Sequence, residues 1–179
     1  MTTPWTSPTT ITQYSETGAE AEHISWFDQN NFSEMLQVNG RFVSTIAPLM
    51  HIARQPRNDI TMKTWYLQCT GYNFSNLPDT ISSISVKLTM NRGGRIADDT
   101  VQLTYQNILI GDNLAGPAFN KVTQTSTLEP ITVYTGSVAG IDLSMIQDLS
   151  FGVTLRFQSH PRWPHKTAPG VDCVELQIS

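Results

Sequence analysis

The feature that most constrains this chain is a strict alternation of apolar and polar residues over positions 83–91. The apolar positions are Ile84, Val86, Leu88 and Met90, and Ser, Lys, Thr or Asn occupies every position between and beside them. Successive side chains of a β-strand point to opposite faces. This period of two therefore predicts a strand with one face in a core and the other in solvent.

Two more segments alternate in the same way. In residues 149–157 the core-facing set is Leu149, Phe151, Val153, Leu155 and Phe157, and the solvent-facing set is Ser150, Thr154, Arg156 and Gln158. At the C-terminal end the core-facing set is Val174, Leu176 and Ile178, and the solvent-facing set is Cys173, Glu175 and Gln177. Weaker patterns predict further strands at 41–47, 61–70, 100–105, 107–111 and 130–135.

Turn residues separate these segments, as in Asn39-Gly40, Leu77-Pro78-Asp79, Arg92-Gly93-Gly94, Gly116-Pro117 and Pro169-Gly170. The apolar residues change from odd-numbered to even-numbered positions at Tyr105-Gln106-Asn107, which predicts a short hairpin there. One helical turn is expected at 144–148, with Ser144 as its N-cap. Many short strands at this spacing predict an all-β fold, an antiparallel, jelly-roll-like β-sandwich of about eight strands.

Residues 1–22 show no sustained period and are interpreted as an extended N-terminal arm, with the sandwich domain at 23–179. Such a segment cannot bury enough surface to fold by itself. We expect it to lie on another chain, anchored by Trp5, Ile11 and Tyr14, because aromatic and branched apolar side chains dominate contacts of this kind. The sandwich is expected to close its core without the arm.

Composition excludes several classes of protein. Ser, Thr, Asn and Gln make up 58 of the 179 residues, and the net charge is −4. A general nucleic-acid binder would be basic, so no nucleic-acid partner is expected. No apolar run approaches the roughly 18 residues of a membrane span, and the N-terminus lacks the pattern of a secretory signal. We therefore expect no membrane association, and folding in a reducing cytoplasm.

The motifs of common enzymes and cofactor sites are missing, including G-x-G-x-x-G, G-x-x-x-x-G-K-[ST], H-E-x-x-H and C-x-x-C. We therefore expect no catalytic residues and no cofactor. Asp98-Asp99 is interpreted as a solvated strand start rather than a calcium site. Asn31-Phe32-Ser33 and Asn73-Phe74-Ser75 match the glycosylation sequon, which is taken as coincidence.

The segment 160–166 contains the only neighbouring histidines, His160 and His165. A metal pair completed by Asp172 is one reading, but two prolines make the segment an extended loop without the fixed face that a metal site needs. A partner contact through Arg162, Trp163 and His165 is favoured instead. The remaining alternative is that the tryptophan folds back onto the end of the sandwich.

The two cysteines, Cys69 and Cys173, are too few for a disulfide scaffold. Cys69 shares its parity with Trp65 and Leu67, and so is expected to face the core. Cys173 has the opposite parity to the apolar residues of its strand and is expected to face outward. Because one thiol is expected to face the core and the other to face outward, we predict that the two thiols are free.

Five segments of the chain are familiar in combination. They are 65–74 (WYLQCTGYNF), 77–86 (LPDTISSISV), 99–103 (DTVQL), 142–153 (DLSMIQDLSFGV) and 171–176 (VDCVEL). In this order they resemble a β-sandwich domain that recurs in structural proteins of tailed bacteriophages, whose patterns read YLxxTGFxF, IPxxATIxGIxVxV, DxVxLV, FGVxLR and VDYVEV. Trp26, Asn30 and Asn31 are similar to its early WxNPxN pattern, without the proline.

The resemblance covers about residues 24–178 and implies a scaffold that carries no catalytic residues. Cys173 stands where the family has an aromatic residue, and the 160–166 loop has no counterpart. What the resemblance implies is a non-enzymatic virion protein that is made in the host cytoplasm. The leading hypothesis is a capsid decoration or cement subunit that binds the major capsid protein or other virion subunits and forms a homo-oligomer.

Two other functions were weighed. A tail-fibre or receptor-binding component would use Trp163 and the amide-rich surface to bind a host glycan. Against it, fibre proteins are usually longer and have trimerising shafts. A polysaccharide-degrading enzyme needs two carboxylates across a cleft, and the 15 acidic residues show no such pattern.

Overall fold

The computed structural model describes residues 1–15, 23–26, 32–33, 36, 43–44, 63–91, 96–115, 132–136, 138–159 and 170–179. Its strands are β1 Thr10–Tyr14, β2 His23–Ile24, β3 Val43–Ser44, β4 Lys63–Thr64, β5 Tyr66–Thr70, β6 Ile84–Asn91, β7 Ile96–Tyr105, β8 Ile108–Ile110, β9 Thr132–Gly136, β10 Gly152–Ser159 and β11 Gly170–Ile178. Within the described ranges there is one short helix, α1, which spans Leu143–Gln147.

The strands form two sheets, which confirms the predicted all-β sandwich. In the first sheet, β10 is central. It pairs with β7 along Gly152–Ser159, and with β5 and then β4 on its other side. The hairpin partner β8 extends this sheet beyond β7, and β1 and β2 extend it beyond β5 and β4. The second sheet has the order β3-β11-β6-β9. All pairings are antiparallel except that of β2 with β4.

The core lies between the two sheets, where the alternating residues were expected. Ile84, Val86, Leu88, Phe151, Val153 and Leu155 are each at most 1% exposed. Val174, Leu176 and Ile178 of β11 are also fully buried, as is Phe157. Each apolar side of a strand therefore meets the apolar side of the facing sheet, which is the arrangement that the period of two predicts.

The hairpin between β7 and β8 turns at the point where the apolar residues change from odd-numbered to even-numbered positions. Its central residues, Gln106 and Asn107, both have positive φ angles, 51° and 63°. Two such residues in succession are typical of the type I′ turn, whose twist matches that of the flanking strands. The predicted hairpin at 105–107 is confirmed.

The structure corrects the sequence interpretation in several details. The eleven strands of the described residues exceed the predicted eight, because some are only two or three residues long. The helix is capped by Asp142, not Ser144, since the aspartate accepts a hydrogen bond from the backbone N–H of Met145 at 2.9 Å. The predicted turn 92–94 lies outside the described residues.

Two residues of the predicted solvent face of β10 are buried. Thr154 is fully buried and Arg156 is 7% exposed. In register, Thr154 lies between Gln68 of β5 and Gln102 of β7, whose longer side chains flank it on both sides. A central strand has neighbours on both edges, so even its polar side is covered, and simple alternation cannot show this.

Candidate functional site

The N-terminal residues extend the second sheet along the edge of β11. The N–H groups of Thr3 and Thr6 donate to the carbonyls of Ile178 and Leu176 at 2.8 and 2.9 Å, and Leu176 donates back to Thr6 at 2.9 Å. The Thr3 hydroxyl accepts a further bond from the N–H of Ile178 at 2.9 Å. These bonds are mostly between backbones and leave little trace in the sequence.

The chain then crosses to the first sheet, where β1 pairs with the edge of β5 over five residues. Gly71 lies against this crossing. Its φ is +74°, and a Cβ there would lie 2.2 Å from the Thr9 hydroxyl, which donates to the Gly71 carbonyl. A side chain at this position would be strained by that φ angle and would force the Thr9 hydroxyl to move.

The expectation that the arm lies on another chain is therefore wrong for residues 1–15. They pair with β11 and β5 of their own chain, whose backbone groups on that side would otherwise be unpaired. The predicted boundary between arm and sandwich falls at residues 22 and 23, and residues 16–22 lie outside the described part of the chain.

The three predicted anchors of the arm all contact this chain. Trp5 is half-buried, with the Lys87 ammonium 4.6 Å from its ring centre. Ile11 packs against the core opposite Cys69. Tyr14 stacks on Tyr66 with ring centres 5.0 Å apart.

Both thiols are free, as predicted. Cys69 faces the core, and burial raises its pKa. Cys173 lies outside the core cluster but is buried, which corrects the expectation that it faces solvent. The N-terminal segment covers it, with the Ser7 hydroxyl 3.7 Å from its sulfur. Burial raises the pKa of Cys173 to about 11, so the thiol stays protonated at neutral pH.

A charged cluster ties three strands of the first sheet together. Asp99 accepts from Lys63 at 2.9 Å and from the Arg156 Nε at 2.5 Å. Burial alone would raise the pKa of Asp99, but the hydrogen bonds and charges of these two partners lower it below its ordinary value. The Arg156 guanidinium also lies 4.2 Å from the ring centre of Tyr66.

The solvated strand start predicted at Asp98-Asp99 is therefore wrong. Opposite Arg156 and Phe157 the register passes from Thr100 to Asp98, so Asp99 is an inserted residue. The bulge turns its carboxylate toward the basic side chains of β4 and β10. The arrangement is structural: it neutralises a buried charge and fixes the irregular register of β7.

The other predicted site residues, Arg162, Trp163 and His165, lie outside the described residues, as does His160. Asp172 is buried in β11. Within the described residues no group of three or more His, Cys, Asp or Glu side chains is placed to hold a metal ion.

Sequence reasoning missed one surface feature. Ile108 and Leu149 are 66% and 67% exposed, although the alternation assigned Leu149 to the core. They lie on two turns that a hydrogen bond joins, from the Gln106 N–H to the Ser150 hydroxyl at 3.3 Å. We call these two side chains the exposed apolar pair. The alternation of residues could not predict the exposure of Leu149, because β10 begins only at Gly152.

Comparisons with protein-family models, with curated protein sequences and with solved structures find no match to this chain. None of the described residues belongs to a helix with the length and apolar character needed to cross a membrane. The geometry and the sequence patterns above are therefore what supports a function.

Proposed function

We propose that this protein is a capsid decoration protein of a tailed bacteriophage, a non-enzymatic subunit that binds the capsid surface and stabilises it. One observation carries the proposal. The five segments that resemble the phage sandwich family are spread over residues 65–176, and they supply neighbouring strands: β5, β10 and β7 in one sheet, and β6 and β11 in the other.

Residues of these segments also have clear physical roles. The Tyr72 hydroxyl donates to the Val174 carbonyl at 3.2 Å and so links the loop after β5 to β11 of the other sheet. Gly71, with its positive φ angle, accepts a hydrogen bond from Thr9 of the N-terminal segment. The segment 142–153 caps α1 and leads into the central strand β10. The resemblance thus falls on residues that build the fold, as expected for a shared scaffold.

The architecture suits a mechanical role. The N-terminal segment is bonded to β11 of one sheet and pairs with β5 of the other, and therefore ties the two sheets together. A decoration protein adds a small interface free energy per copy, and many copies on one shell act together against internal DNA pressure. A stiff body transmits that load without unfolding locally.

The proposal is tested by counting copies. Purified particles of the phage that encodes this chain are analysed by quantitative mass spectrometry, with the major capsid protein as internal standard. The proposal expects a copy number comparable to that of the major capsid protein. A number lower by an order of magnitude or more would refute decoration and favour a tail-fibre or receptor-binding component.

A further inference from the structure

We propose that the exposed apolar pair, Ile108 and Leu149, is the surface by which this protein attaches to its partner, an apolar pocket with a basic rim on a capsid subunit. This inference rests on the proposed function and names the binding surface for it. Three large hydrophobic side chains of the described residues are exposed, and this pair occupies two joined turns at one end of the sandwich.

Both side chains lie just beyond the end of the core. Ile108 pairs with Tyr105, and the next pair on that side of the hairpin, Ile110 with Leu103, packs into the core. Leu149 lies in the turn that precedes β10, and the chain enters the core two residues later at Phe151, which is fully buried. Ile108 thus continues the core-facing row of the hairpin, and Leu149 stands on the turn just before the core.

The exposure of Leu149 is fixed by its backbone. Its carbonyl accepts from the Gly71 N–H at 2.9 Å, and the carbonyl of Asp148 accepts from the Phe151 N–H at 3.0 Å. The Asp148 carboxylate accepts from the Ser150 N–H at 2.8 Å. A side chain held out by a rigid turn loses little backbone freedom on binding, which favours its use as an anchor.

Charge around the pair indicates the nature of the partner. Asp142 and Asp148 are exposed at the two ends of α1, and residues 104–110 and 141–152 contain no Lys or Arg. Hydrogen bonds from Ser150 lower the pKa of Asp148, so it is ionised at neutral pH. Asp148 precedes Leu149 in the chain and so places a negative charge beside this apolar anchor. Such a charge complements a basic rim around an apolar pocket, and disfavours a second copy of the same surface.

The test measures binding to capsid shells of the encoding phage assembled without this protein. The variant Ile108→Thr/Leu149→Ser removes both anchors while keeping a β-branched residue at the start of β8. We expect it to bind the shells with an affinity lower by about tenfold or more. Its melting temperature should equal that of the wild type, since neither side chain is buried.

Two variants that each remove one negative charge test whether the rim of the partner's pocket is basic. Asp148→Asn keeps the acceptor for Ser150 but removes the charge, and should slow association at low salt and weaken its salt dependence. Asp112→Asn, beyond the other end of β8, is the matched control and should change neither.

The outcomes separate the two proposals. If the wild type does not bind the shells, the decoration function fails and the inference with it. If the wild type binds and the double variant binds equally well, the function stands and this surface is wrong. If the double variant instead disrupts a wild-type dimer in sedimentation and binds shells normally, the occupant is a second copy, and the capsid pocket is refuted.

Discussion

The Ser7 hydroxyl lies 3.7 Å from the Cys173 sulfur, although 166 positions separate the two residues in the chain. The contact joins the N-terminal segment to the face of β11 that points away from the core. It converts a chain end that shows no sequence period into a part of the sandwich, and it allows a direct chemical test of that placement.

The variant Ser7→Cys should form a disulfide with Cys173 under oxidation, because the two side-chain atoms are in van der Waals contact and only a small shift is needed to form the bond. The bond should stabilise the protein by about 2–4 kcal/mol, measured by chemical denaturation with and without reductant. The double variant Ser7→Cys/Cys173→Ser is the control. A disulfide-linked dimer in place of an internal bond would show that the segment lies on another copy.

Deleting residues 1–14 should destabilise the isolated protein by at least about 2 kcal/mol, since several backbone hydrogen bonds to β5 and β11 are lost. The exposed strand edges should also promote association. This reverses the expectation from sequence that the sandwich does not need the arm. Thermal melting and sedimentation check it, with Thr2→Ala as a neutral control. An unchanged melting temperature would contradict the placement of the segment.

Val86→Asp should abolish folding, because Val86 is fully buried and an unpaired carboxylate there would have no compensating partner. Ser85→Asp is the matched control: the neighbouring residue lies on the opposite face of β6 and is partly exposed, so the variant should fold. Circular dichroism separates the two. A folded Val86→Asp protein would refute the core described here.

Asp99→Asn should lower the free energy of unfolding by about 1–2 kcal/mol at neutral pH, allowing for partial screening of the site. The folded-state pKa of Asp99 is lowered, so its contribution is present above its ordinary value of 3.8 and is lost as pH falls below it. The difference between variant and wild type should therefore shrink in acid. A difference that stays constant through that range would show that the ion pairs contribute nothing.

Much of the fold could be predicted from residue periodicity. The alternation at 83–91 placed four apolar residues in the core, and the parity slip at Tyr105 located a hairpin. Both are local properties of one strand or two adjacent strands, and a period of two reports them directly.

What periodicity could not supply was the neighbourhood of each strand. Thr154 is buried because two strands flank β10, and Thr3 is buried because its backbone completes an edge. Neither burial can be inferred from the alternation of residues in the segment that carries the threonine. Leu149 shows the converse limit: parity assigns a face but not the point where a strand begins, and β10 begins three residues later.

The most direct test of the account is a density map of the phage particle with and without this protein. The account predicts difference density of sandwich size repeated over the outer capsid surface, with the turns that carry Ile108 and Leu149 against a capsid subunit. Difference density confined to the tail, or none on the shell, would contradict it.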